Sequence, residues 1–306
     1  MISGLPRAKG APRRTGLRSE EPATSDEGRR RTPARRRRAG LALALHSEWT
    51  KLRTLASTWW LMLAAVALTV VVGAAVAAAY QCSGGPAGAC AQAATGADPA
   101  KISLTGIDLG QVIVALLAVL TVGGEYGTGM IRLTLTATPR RLTMLAAKAA
   151  VVAGWALSAG LAAVAGSLLS GRLILPGRGL SAANGYVVPS LASGQDLRAF
   201  GGSVLYLALI AVLALGVTTA VRDSAVAIGL VLGLLYLFPI AAAVIPDHVL
   251  ARHLQQIAPM NAGLDIQATV RVAALPLTPW QGLGVLALWA AGALGLGALV
   301  LCRRDA

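Results

Sequence analysis

Charge is scarce in this chain: only 13% of its 306 residues are Asp, Glu, Lys or Arg, while 56% are hydrophobic and the mean hydropathy is +0.66. An ordinary soluble domain carries about 25% charged residues, so a water-soluble globular fold is excluded. Cysteines are few, with Cys82, Cys90 and Cys302 the whole set. None forms a CxxC or a zinc-ligand spacing, and no metal is implied. The histidines are His46, His248 and His253, all outside the long apolar runs, and neither HExxH nor GxSxG occurs. An intramembrane enzyme built on those motifs is thereby excluded. Lys9, Lys51, Lys101 and Lys148 are the only lysines, and none follows a glycine. The phosphate-cradling Walker A loop, which needs Gly-Lys, is absent.

Long apolar stretches are what the chain has instead. Six are read at roughly 59–80, 104–124, 149–170, 199–221, 224–245 and 280–301. Each approximates the ~20 residues that carry a helix across ~30 Å of hydrocarbon. Runs such as Phe200 to Val221 are apolar on every face, whereas a transmembrane barrel would show alternating segments of about ten residues. The expected fold class is all-α, a polytopic membrane protein with six transmembrane helices.

A net charge of +14 invites a nucleic-acid reading, but the location of the charge argues against it. Of the 27 Lys and Arg, 14 precede the first span, through Arg53, and Arg132, Arg140, Arg141 and Lys148 cluster after the second. The positive-inside rule then puts both termini in the cytoplasm, and the plasma membrane is the expected location. Cys82 and Cys90 fall in the first outer loop, where a disulfide is permitted; a disulfide and two free thiols both stay open.

Residues 1–40 read as a disordered basic cytoplasmic tail, too poor in large apolar residues to fold alone. Residues 41–58 read as an amphipathic interfacial helix, with Leu41, Leu45, Trp49, Leu52, Leu55 and Ala56 on its apolar side. Glu48 projects into that apolar stripe and needs a partner: Lys51 three residues on, or a cytoplasmic loop or partner subunit. Trp59 and Trp60 suit the headgroup level at the start of the first span.

Residues 59–301 form the expected transmembrane domain, with a cytoplasmic loop at 125–148, and 302–306 the cytoplasmic C-terminus. Within the loop, Thr128 is expected to cap a short helix and Pro139 to open a second one. Pro246, Pro259, Pro276 and Pro279 interrupt an outer segment at 246–279 whose apolar residues suggest short re-entrant helices. Pro239 is expected to kink span five, and Gly229 with Gly233 forms a small-xxx-small pair.

The order of these elements resembles the permeases of ATP-binding-cassette exporters of the type-2 class, in their actinobacterial form. Three stretches carry the resemblance. The first is Ser47-Glu48-Trp49-Thr50-Lys51-Leu52-Arg53-Thr54, leading into Ser57-Thr58-Trp59-Trp60. The second is Gly124-Glu125-Tyr126-Gly127-Thr128-Gly129-Met130-Ile131-Arg132 with Pro139-Arg140-Arg141, up to Ala147-Lys148. Pro259-Met260-Asn261-Ala262-Gly263 with Pro279-Trp280 is the third. The resemblance implies a homo- or heterodimer of six-span subunits in the lipid bilayer, with cytoplasmic ATPase subunits that hold the ATP and Mg; no cofactor is expected on this chain. It implies that 41–56 is the connecting helix, with Glu48, Trp49, Lys51 and Arg53, and that a coupling helix lies near 128–137. Coupling to the ATPase would then involve Glu125, Tyr126, Gly127, Thr128, Gly129, Arg132, Pro139, Arg140 and Arg141.

Other readings compete with it. Leu191-Ala192-Ser193-Gly194-Gln195-Asp196 has the look of an ATPase signature loop, but it falls on the expected outer side and no Walker A accompanies it. A secondary transporter would carry ionisable groups at the midplane, and Asp108 is the one ionisable residue inside an expected span. A sensor or assembly subunit of the same fold is the further alternative.

Overall fold

In the computed structural model, the described residues are 33–79, 97–130, 141–178, 180, 189–190 and 192–303, with side chains from Leu41 onward. They are helical, with no strand among them. The elements are α1 (Pro33–Thr54), α2 (Ala56–Ala79), α3 (Pro99–Leu104), α4 (Ile107–Gly127), α5 (Arg141–Ile174), α6 (Gly194–Val221), α7 (Ser224–Val244), α8 (His248–Ile257), α9 (Pro259–Leu264) and α10 (Pro279–Arg303). Six stretches are long and apolar enough to cross a membrane: α2, α3 with α4, α5 with the 3-10 turn Leu175–Arg178, α6, α7 and α10. The protein is a multi-pass membrane protein.

Local chemistry sets the helix starts. Asp98 caps α3 by accepting from Lys101 N, with Pro99 at the first turn. Ser193 caps α6 by accepting from Asp196 N, and the Asp196 carboxylate accepts from Ser190 N, three residues before the cap. The cap accounts for the spacing of Ser193 and Asp196 in the stretch that looks like an ATPase signature. Asp223 and Asp247 cap α7 and α8 in the same way.

Helix α6 is the centre of the bundle, packing most extensively on α10 and also on α5, α4 and α7, while α2 packs on α5 and α4. Phe200, Tyr206, Leu207, Ile210, Leu213 and Leu215 are buried along it. Its crossing with α10 depends on Gly216, where an added Cβ would lie 2.5 Å from the Ala293 backbone. A polar ladder ties three spans: Tyr206 donates to Gln111, whose amide donates to Tyr236, which in turn donates to the Asp108 carbonyl. These bonds satisfy the hydroxyls and the amide inside an otherwise apolar core.

Several expectations shift. Helix α1 starts at Pro33, so residues 33–40 are helical where a disordered tail was expected; the rest of that tail lies outside the described residues. Helix α4 continues through Gly127, the chain is helical at Met130 and again from Arg141, and residues 131–140 lie outside the described residues. Thr128 caps the end of α4, donating through its hydroxyl to Gly124 O. Gly129 follows at φ +70, the left-handed conformation that glycine adopts without a Cβ clash. Arg132, Pro139, Arg140, Cys82 and Cys90 lie outside the described residues, as does most of the short helix expected near 128–137. Gly229 and Gly233 face open space, making no close approach within the chain. Pro239 lies inside α7, with helix on both sides of it.

The 246–279 segment does fold into short pieces. Helix α8 has no buried residue, whereas α9 buries Met260 and Ala262, with Gly263 against the Tyr206 ring and Ala262 against Gly282. The Asp98 carboxylate pins the segment by accepting from Thr269 N, Thr269 Oγ1 and Val270 N at 2.5, 2.7 and 3.0 Å.

Candidate functional site: a buried ion cluster at one end of the bundle

The ends of α4, α6 and α10 and the starts of α5 and α7 gather at the α1 end of the bundle. Helix α1 presents Ala44, Glu48 and Leu52 as its buried stripe, with Leu45 and Lys51 half-buried beside them. Leu41, Trp49 and Leu55, on the apolar side of the helix, are exposed. The acidic residue that interrupts the apolar pattern therefore faces the protein, and part of the apolar stripe faces outward.

Glu48 meets Lys148. The ammonium of Lys148, 3% exposed, lies 2.7 Å from Glu48 Oε2 and 2.6 Å from Glu125 Oε1. Lys51 closes the cluster at 3.0 Å from Glu48 Oε1 and 3.2 Å from Glu125 Oε1. Glu48 thus has both the local partner and the distant one that its position invited. Three helices are joined: α1 through Glu48 and Lys51, α4 through Glu125, α5 through Lys148. Two cations and two anions leave the cluster neutral, the condition under which buried charge is tolerated. Burial alone would lower the Lys51 ammonium, but the hydrogen bonds and charges of Glu48 and Glu125 outweigh it and hold Lys51 above its ordinary value.

By sequence, Lys148 falls at the end of a loop, as the close of the second stretch that carries the resemblance, with no role in a site. A 34-residue helix such as α5 is about 51 Å long, some 20 Å more than the hydrocarbon requires. Its first two turns therefore continue beyond the apolar run and carry Lys148 with them. The signal was its phase: Val152 and Trp155 follow at four and seven residues, on the same face and equally buried.

Trp155 is the second link. Its ring stacks on Trp49 at 5.2 Å and 28°, and Trp59 meets it edge-on at 5.2 Å. Trp59 also donates through its indole N–H to Arg53 O, closing the turn between α1 and α2. Trp60 is exposed, as an interfacial aromatic would be. Guanidinium groups make the third link, on the carbonyl end of α10. Arg141 donates to Leu301 O at 2.7 Å, and Arg222, in the left-handed conformation between α6 and α7, donates to Val300 O at 3.2 Å. Positive charge there complements the helix dipole. Arg222 also lies over the Tyr126 ring at 5.8 Å. Of the residues assigned to ATPase coupling, Glu125, Tyr126 and Arg141 are thus engaged in holding the bundle end together. Gly127, Thr128 and Gly129 form the exit of α4.

No protein-family model matches the chain, and no curated protein does. The case for function therefore rests on the geometry and the sequence pattern. Among the described residues no group of His, Cys, Asp and Glu could hold a metal ion.

Proposed function

We propose that this chain is the permease subunit of an ATP-binding-cassette exporter of the type-2 class. In this reading it sits in the plasma membrane with both termini cytoplasmic, and pairs with a second permease subunit. It hydrolyses no ATP itself, leaving ATP and Mg to a separate ATPase docked on the cytoplasmic face. The exported compound is amphipathic or lipophilic.

One observation supports the reading most: the buried cluster of Glu48, Lys51, Glu125 and Lys148 joins the helix before the first span to the two helices that bracket residues 128–140. A push on that stretch by a partner would be passed to α1, α4 and α5 together. Such joint movement is what a rigid-body switch between two packings requires.

The test is affinity purification of the tagged full-length chain in mild detergent, followed by mass spectrometry and an ATPase assay of the eluate. A stoichiometric Walker A protein with vanadate-sensitive activity is expected, and charge reversal at Arg132 should uncouple that activity from transport without loss of insertion. A chain that purifies alone would turn the reading toward a secondary carrier or a non-transporting subunit.

A further inference from the structure

A cavity of about 500 Å³ opens between α6, α7 and α10, within the usual range for small-molecule sites. Every residue that lines it is apolar, among them Leu213 and Val217 on α6, Leu234 on α7 and Val285, Leu288 and Leu296 on α10. Leu288 and Leu296 stay largely exposed, so in a bilayer the cavity is a groove open to hydrocarbon. Gly292 makes room in it, since a Cβ there would meet nothing within 4 Å. Along α6 the lining runs from Leu213 to Val221, about 12 Å at 1.5 Å per residue, close to the ~15 Å of hydrocarbon in one leaflet. Those dimensions fit one acyl chain.

Positive charge collects where the groove meets the α1 end of the bundle. Arg222 directly follows the lining residue Val221, and its guanidinium donates to Val300 O. Val300 and Arg303 follow Leu296 at four and seven residues, which keeps both on the groove's face of α10. Arg303 is exposed there, and Arg141 donates to Leu301 O beside it. Among the described residues one carboxylate stands against these three arginines, that of Asp223, which caps α7 through Oδ1. Glu48 and Glu125, at the same end, are already neutralised by Lys51 and Lys148.

An apolar trough one leaflet deep that ends in guanidinium groups has the chemistry of an anionic phospholipid site. Guanidinium binds phosphate through paired, charge-assisted hydrogen bonds, and basic pockets between transmembrane helices select acidic headgroups. We propose that this groove binds an anionic phospholipid, one acyl chain lying between α7 and α10 and the phosphate at Arg222 and Arg303. The inference needs only the membrane location and stands apart from the transport reading.

Trp289 supplies the readout, because it lines the groove, held by donation to Ile257 O and by the edge-on ring of Phe238. The full chain is placed in phosphatidylcholine nanodiscs containing graded amounts of phosphatidylglycerol with a brominated acyl chain, and Trp289 quenching is taken as the difference between wild type and Trp289→Phe. Brominated phosphatidylcholine measures unselective contact. Quenching by the phosphatidylglycerol should saturate at a mole fraction at least about tenfold lower, given about fivefold for each arginine near the headgroup. Arg303→Gln, at an exposed position, should reduce that preference several-fold, and Gly292→Leu, whose side chain enters the groove, should abolish it. The proposal is overturned by equal quenching with the two lipids, or by a preference unchanged in either variant. Absence of Trp289 quenching by both lipids assigns the groove to a protein partner, a second copy of the chain included, and overturns it as well.

Discussion

Removing the Lys148 ammonium is the sharpest perturbation of the ion cluster, because that group touches both carboxylates from a buried position. At 2.6 and 2.7 Å and an effective dielectric constant of about 20, each contact represents an attraction of about 6 kcal/mol. Desolvation of the three buried ions, several kcal/mol apiece, offsets most of that sum, so the assembled cluster contributes little net stability. Loss of one member is different, since Lys148→Met leaves two buried carboxylates facing the half-exposed Lys51 alone. Breaking a buried pair in this way costs about 3–5 kcal/mol.

Equilibrium unfolding in mixed SDS micelles, followed by tryptophan fluorescence, measures the loss, with Trp49, Trp59 and Trp155 reporting on this end of the bundle. The variant Lys148→Met/Glu125→Gln restores neutrality, leaving Glu48 with Lys51, and should recover more than half of the lost stability. Two results would refute the reasoning. One is a Lys148→Met protein within about 0.5 kcal/mol of wild type, the scale of ordinary surface substitutions. The other is a double variant whose loss equals the sum of its single losses, which would mean that the charges do not interact.

The other predictions concern packing, pH and orientation. Gly216→Ala places a Cβ against the Ala293 backbone and should destabilise the α6–α10 crossing by about 1–3 kcal/mol, whereas Gly229→Ala, which meets nothing within 4 Å, should be neutral or slightly stabilising in the same unfolding assay. Equal losses would show that the crossing is not the close one described. Burial raises the Asp265 carboxyl to about 6 from an ordinary 3.8, with the Lys101 charge opposing the rise. The contribution to stability is therefore full below the ordinary value and is lost as pH rises through about 6; a melting series across that window should fall in wild type and flatten in Asp265→Asn. Cys302 is exposed at the end of α10. In a Cys82→Ser/Cys90→Ser background, a membrane-impermeant maleimide should reach it only after the cells are opened, and labelling of intact cells would reverse the proposed orientation.

Six spans were legible in the sequence because burying helices in lipid demands length and apolarity, and both are local properties. What was not legible depended on helix phase and on partners far along the chain. The polar ladder of Gln111, Tyr206 and Tyr236 left no mark in hydropathy, since each residue is isolated among apolar neighbours and their meeting is set by packing. That Thr128 closes α4 was not legible either, because a hydroxyl beside glycines serves either end of a helix and where α4 stops is set by packing. The orientation argument has a similar limit: from Leu41 onward the described Lys and Arg divide evenly, six at each end of the bundle, so the bias comes from residues 1–40, from Arg132 and Arg140, and from Arg304.

Glu48 shows best how a broken pattern carries information. An apolar stripe alone does not fix the register of a helix lying against a bundle, because Leu41, Leu45 and Leu52 repeat at nearly one- and two-turn intervals, and a slide of one turn along α1 would exchange one leucine for another at modest cost. Displacing Glu48 by a turn, about 5.4 Å, would break its 2.7 Å contact with Lys148 and leave both charges buried without their partners. Apolar residues thus supply the attraction of α1 to the bundle while the charges select one position for it. A junction selected in that way resists gradual slippage and yields only as a whole, so any movement imposed on residues 128–140 must either carry α1 with it or pull the cluster apart.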